Sequence, residues 1–161
     1  MRSKILYKKF DKKLYQENDL PAKEECKLLF NQFGYKILPS PEAYKAWDFL
    51  VEKNNKTLPV EIEVKKVWDK IGVWQGYSTV DIPYRKASSK AELFIMFNCH
   101  LNSLLFCKMY DILKSPTSIK DTIYTKGEKF FNVSVETFYL MEKKEDKWIH
   151  LSTNRRIPYF F

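Results

Sequence analysis

The stretch that decides the fold begins Ala46-Trp47-Asp48-Phe49-Leu50-Val51-Glu52 and continues through the polar link Lys53-Asn54-Asn55-Lys56-Thr57-Leu58. It ends in Pro59-Val60-Glu61-Ile62-Glu63-Val64-Lys65-Lys66. Alternation in this last part sends Val60, Ile62 and Val64 to one side of a strand, and Glu61, Glu63 and Lys65 to the other. Residues 46–52 read as a partner strand, with residues 53–58 as the hairpin loop. Pairing Glu52 with Pro59 sets Val51 against Val60, Phe49 against Ile62 and Trp47 against Val64, which makes one face wholly apolar. In that register Asp48 stands opposite Glu63, with Cβ atoms roughly 4.5–5.5 Å apart. A two-residue slip would set Asp48 against Glu61 or Lys65 on the same face. A one-residue slip would bury the charges and is disfavoured.

Facing carboxylates destabilise a sheet unless something compensates. Lys65, on the same face, would do so alone; a divalent cation would do it better, since Mg²⁺ prefers carboxylate oxygens and retains several waters. Ahead of the hairpin, Ala22, Cys26, Leu29, Phe30 and Phe33 recur at helical spacing. This predicts a helix from Pro21 to Phe33, with Pro21 in its first turn and Gly34 just past its end. Glu25 lies about 80° from the centre of that apolar stripe and would border the acidic cluster, while Glu24 points to solvent.

Residues 1–18 are Lys-rich and weakly periodic, and read as a basic arm or a first helix. Ala91 to Phe97 reads as a fully buried strand and Ser103 to Lys108 as its neighbour, joined through the turn Asn98-Cys99-His100-Leu101-Asn102. A short helix is expected from Lys108 to Leu113. Residues 68–84 are ambiguous, and 130–139 and 148–151 fit strand or helix. The mixture predicts one α/β or α+β domain over residues 1–161, with a central mixed β-sheet flanked by helices.

Composition agrees with a single packed domain. The chain has 161 residues, of which 45% are hydrophobic and 16% aromatic, enough to bury a core and to exclude general disorder. No apolar run approaches the ~18 residues of a membrane span, and Met1 to Phe10 lacks a signal-peptide core. An intracellular, cytoplasmic protein is therefore expected, or a viral or phage protein acting inside its host cell. Two histidines, His100 and His150, argue against a His-built zinc centre or a Ser-His-Asp hydrolase, and read as turn and surface residues. Cys26, Cys99 and Cys107 show no CxxC spacing and read as buried, reduced thiols. Lys plus Arg exceeds Asp plus Glu by 28 to 20, so a polyanionic partner is expected.

Asp48, a hairpin-length gap and then Glu63-Val64-Lys65 resembles the D…(D/E)xK signature of the PD-(D/E)XK nuclease superfamily, with its restriction-endonuclease-like core. The order of helix, strand, strand with ExK, excursion and buried strand is similar too, over residues 21–108. Trp47 stands where that family's pattern has Pro. The resemblance implies that Asp48 and Glu63, helped by the Val64 carbonyl, hold Mg²⁺ or Mn²⁺, and that Glu25 is the first-helix acid. It further implies that Lys65 orients or deprotonates the attacking water and stabilises charge on phosphorus. The activity implied is metal-dependent endonuclease hydrolysis of DNA, structure-specific or junction-resolving action included. A homodimer stays open, and no membrane is involved.

Other residues fit that reading. The basic loop Tyr84-Arg85-Lys86, followed by Ser88-Ser89-Lys90, would contact phosphates, as would Lys66 after the strand. Gln75 is similar to a Gln that some family members place near the metal. Trp68, Trp74 and Tyr77 are candidates for base stacking, although aromatics this dense more often form core. Arg155-Arg156 would add a phosphate contact, and Thr125-Lys126-Gly127-Glu128 is most simply a turn. The positive excess lies in the Lys4 to Lys13 arm, the Arg85 to Lys90 loop and the tail, around an acidic pocket. Its Lys dominance fits contacts to the DNA phosphate backbone better than base reading. Two alternatives compete: a catalytically inactive nucleic-acid-binding or structural module with a nuclease-like fold, and a protein-interaction domain.

Overall fold

A computed structural model describes residues 12–39, 49–76, 78–122, 126–151 and 161. The helix α1 runs over Lys12–Gln32, so Pro21 lies inside it rather than in its first turn. The expected start is thereby corrected: lacking an N–H, Pro21 omits one helical hydrogen bond, and the helix continues through it. The expected end holds. Gly34 takes φ +85°, the left-handed conformation that glycine adopts most readily after a helix. Lys53 donates to the Phe33 carbonyl at 2.7 Å beside it.

The strands are β1 (Lys36–Leu38), β2 (Phe49–Lys53), β3 (Lys56–Lys65), β4 (Thr79–Pro83), β5 (Leu93–Asn98) and β6 (Ser103–Lys108). After the short helix α2 (Met109–Leu113) come β7 (Thr117–Lys120), β8 (Glu128–Ser134), β9 (Tyr139–Lys144) and β10 (Lys147–His150). Seven of them form one mixed sheet in the order β1-β2-β3-β5-β6-β9-β10, in which β3 and β5 run parallel. The other three form a separate sheet, β4-β8-β7. The chain is thus α+β with a central mixed sheet, as expected. Its two faces are covered differently: α1 packs on one, and the small sheet with α2 packs on the other.

That sandwich explains the continuous apolar run of β5. Leu93, Ile95 and Phe97 enter the helix-side core with Leu29, Phe30, Val60 and Phe106. Phe94 and Met96 enter the second core with Trp68, Ile82, Leu105 and Phe131. The turn after β5 is organised by buried Asn98, whose Oδ1 accepts from the Asn102 and Ser103 amides at 3.0 Å each. Cys26 and Cys107 are buried free thiols and Cys99 is half-buried. His100 lies in the turn, but His150 is not a surface residue: its ring packs edge-on to Phe33 and Phe106.

The central hairpin departs from expectation in its register. Phe49 pairs with Val60, Val51 with Leu58 and Lys53 with Lys56, two residues away from the pairing of Glu52 with Pro59. The cause is the turn. Asn54 and Asn55 take φ +53° and +63°, a two-residue connection with both residues left-handed, and the expected loop residues 56–58 extend the strand instead. A shift by two preserves parity, so the split between apolar and charged faces survives.

Candidate functional site

Val60, Ile62 and Val64 of β3 face the α1 side, and alternation turns Glu61, Glu63 and Lys65 to the side of the small sheet. Glu61, Glu63 and Lys65 stand in register with Phe94, Met96 and Asn98 of the fully buried β5. A charged row therefore crosses the mouth of an apolar core. The segment that answers it is the 3-10 turn Tyr84–Ser88 at the end of β4. Lys86 donates to Glu61 Oε2 at 2.5 Å, and the Ser89 hydroxyl donates to Glu61 Oε1 at 3.2 Å. Arg85 reaches away to Glu128 at 2.7 Å. The basic loop thus folds back on the acidic strand. Lys86 is spent in an internal ion pair, while Lys90 projects into solvent.

Glu61 is satisfied; Glu63 is not. Its Oε2 is buried with no hydrogen-bond partner among the described residues. Burial pushes the Glu63 carboxyl above the ordinary carboxylate range, with Glu61 adding to the rise. The charges of Lys86, Lys65 and Arg85 pull it the other way without cancelling the effect. Buried polar atoms without partners are rare enough in folded proteins that each calls for an explanation. Lys65, two residues on, is half-exposed, and its charge acts on Glu63 and also on Asp81 of β4. Burial raises Asp81, but hydrogen bonds from Lys120 and Asn132 outweigh it and hold the carboxyl low.

The other expected site residues separate. Asp48 lies outside the described residues, as do Trp47, Tyr77, Thr125, Arg155, Arg156 and Lys4. Glu25 is on the far side of the central sheet, where its Oε1 accepts from Lys143 at 2.8 Å and from the Trp148 indole at 3.1 Å. It does not join Glu63, because its helix packs on the opposite face. Gln75 braces its own loop: its Oε1 accepts from the Asp69 and Lys70 amides, and its Nε2 donates to the Val67 carbonyl at 2.6 Å. Trp68 is core, its indole donating to the Val73 carbonyl, and Trp74 packs edge-on against it. Neither stands free to stack a base. Lys66 is exposed at the end of β3. Asp81 carries no sequence signal, because it lies in the ambiguous 68–84 segment without a periodic pattern.

No group of three metal-ligating side chains occurs among the described residues. Mg²⁺ does not require one: it is commonly held by one or two carboxylates, with waters and substrate phosphates completing the shell. The unpartnered Glu63 oxygen beside Lys65 fits that mode. No family model matches the chain, and no curated protein matches it. Among solved structures, a bacterial homing endonuclease is similar over 94% of this chain and 86% of its own, at 14% identity and a TM-score of 0.45. A likeness that loose does not by itself define fold or function. No helix among the described residues is long and apolar enough to cross a membrane.

Proposed function

We propose that the protein is a metal-dependent nuclease that hydrolyses DNA phosphodiester bonds, with the PD-(D/E)XK arrangement of residues. The observation that carries this reading is the buried, unpartnered Glu63 Oε2, two residues from half-exposed Lys65 on the same face of β3. Such an oxygen costs free energy until a cation or proton meets it. Glu63 would hold Mg²⁺ or Mn²⁺ with Asp48 as a second carboxylate and the Val64 carbonyl as a third donor. When bound, the cation polarises the phosphate and lowers the pKa of its water. Lys65 would orient that water and balance charge developing on the phosphoryl oxygens. Lys86 neutralises Glu61, which leaves Glu63 as the acid of the row with an unpartnered oxygen among the described residues. Lys66 and Lys90 are exposed and suited to backbone phosphates.

The test is supercoiled plasmid with the purified protein and Mg²⁺ or Mn²⁺. Nicking that stops with EDTA, and is lost in Glu63→Gln, Lys65→Ala and Asp48→Asn, is the expected result. Equal cutting by wild type and all three variants would trace the activity to a contaminant and end the proposal. Salt-sensitive DNA binding with neither cleavage nor Mn²⁺ binding would return the protein to the non-catalytic nucleic-acid-binding class.

A further inference from the structure

Beside the charged row lies a second feature. A groove of about 390 Å³ is lined by Ser89, Lys90, Glu92, Lys108, Tyr110 and Leu113, among others. Its chemistry is mixed in a particular way. Lys90 and Lys108 are exposed, with no side-chain partner among the described residues. Tyr110 leaves 66% of its surface exposed. Lys114 sits over the Tyr110 ring at 4.4 Å from its centre. Leu113 adds an exposed apolar contact. Glu92 is the acid of the lining, against two lysines.

The groove joins the candidate site through Ser89, which lines it and whose hydroxyl donates to Glu61.

We infer that this groove binds an unpaired polynucleotide strand flanking the reacting phosphate, with the exposed ring of Tyr110 stacking a base and Lys90 and Lys108 taking phosphates. A stacked base needs an open π-face, which a base inside a duplex does not offer. Positive charge beside an exposed ring is the pattern that single-strand binding combines: ammonium groups track the backbone, and aromatics accept bases of any sequence. The inference deepens the nuclease reading, since it assigns that site a substrate containing a single-stranded segment.

Fluorescence anisotropy with labelled single-stranded DNA, single-stranded RNA of the same sequence and a blunt duplex, all in EDTA, tests it without any cleavage. Wild type should prefer a single strand to the duplex, and the DNA and RNA arms show which sugar is favoured. Tyr110→Ala should weaken single-strand binding by about 5- to 100-fold, while Tyr110→Phe stays within about twofold. The double variant Lys90→Ala/Lys108→Ala should flatten the logarithmic salt slope by about 1.4, the value for two lost phosphate contacts on a single strand. Unchanged single-strand affinity in both Tyr110→Ala and the double Lys variant would overturn the inference, as would duplex binding at least as tight as single-strand binding. The nuclease reading falls separately, on the plasmid and Mn²⁺ measurements, so the two failures are distinguishable.

Discussion

Lys86 sets its ammonium 2.5 Å from Glu61 Oε2, joining the 3-10 turn after β4 to the strand position two residues before Glu63. Both side chains are largely buried, at 19% and 10% exposure. Breaking such a pair from one side leaves a buried charge without a partner, whereas replacing both members is often close to neutral. Lys86→Met should therefore cost about 3–5 kcal/mol in urea unfolding. Glu61→Gln/Lys86→Met should recover most of that loss. Similar stability in Lys86→Met and wild type would show that the pair is solvated rather than structural.

Glu63 predicts a pH-dependent gain from mutation. Its folded-state carboxyl is raised above the ordinary value of 4.5, so the folded chain binds that proton more readily than the unfolded one. Below the ordinary value both states are protonated and the group is neutral to stability. As pH rises through the raised native value, stability is lost, and the penalty persists above it. Glu63→Gln should then raise the Tm of the metal-free protein at neutral pH, by about 2–4 °C per kcal/mol recovered. The gain should vanish as pH falls below the ordinary carboxylate value. Equal Tm values for the two proteins at neutral pH would contradict a buried, unpartnered carboxylate.

The same oxygen makes metal binding visible as stability. A ligand that binds only the folded chain at 100 times its Kd adds about 2.7 kcal/mol. Mn²⁺ titrated into the protein at neutral pH should raise Tm with concentration, and Glu63→Gln should abolish the shift. Because the carboxylate must be deprotonated to bind, Mn²⁺ affinity should fall as the solution is made more acidic. An unchanged Mn²⁺ shift in Glu63→Gln would place the cation elsewhere.

The hairpin turn offers a test of the register. Asn54 and Asn55 both hold positive φ, which asparagine tolerates and a β-branched residue does not. Asn55→Val should cost about 1–2 kcal/mol, one residue's penalty for the left-handed region. Asn55→Gly, which creates the favoured Asn-Gly pair, should leave stability unchanged or slightly higher. Equal unfolding midpoints for the Val and Gly variants would contradict this two-residue turn.

Much of the fold was legible because it rests on local patterning. The unbroken apolar run of residues 93–97 announced a strand buried on both sides, and Ser103–Lys108 matched its expected bounds. Gly34 marked the end of a helix whose start was misplaced, because Pro21 favours a first turn without requiring one. Lys56 and Thr57 are polar and resemble loop, yet they belong to β3, because on an exposed strand end polar residues cost nothing. Tyr110 carried no signal at all, since an exposed ring and a core ring look alike until packing separates them.

From the amino-acid order alone came the division of β3 into an apolar face and the row Glu61, Glu63, Lys65. That division is a property of an extended backbone, whose side chains alternate whatever lies around them. Only the tertiary structure decided what each acid meets. Glu61 is claimed by Lys86, 25 residues away in the chain, while Glu63 keeps an oxygen without a partner. Glu25 is turned to Lys143 and Trp148 across the sheet, more than a hundred residues beyond it in sequence. Alternation is set between neighbouring residues, but a carboxylate's partner is set by topology, and that is why the candidate site could be sketched from the chain and completed only in the fold.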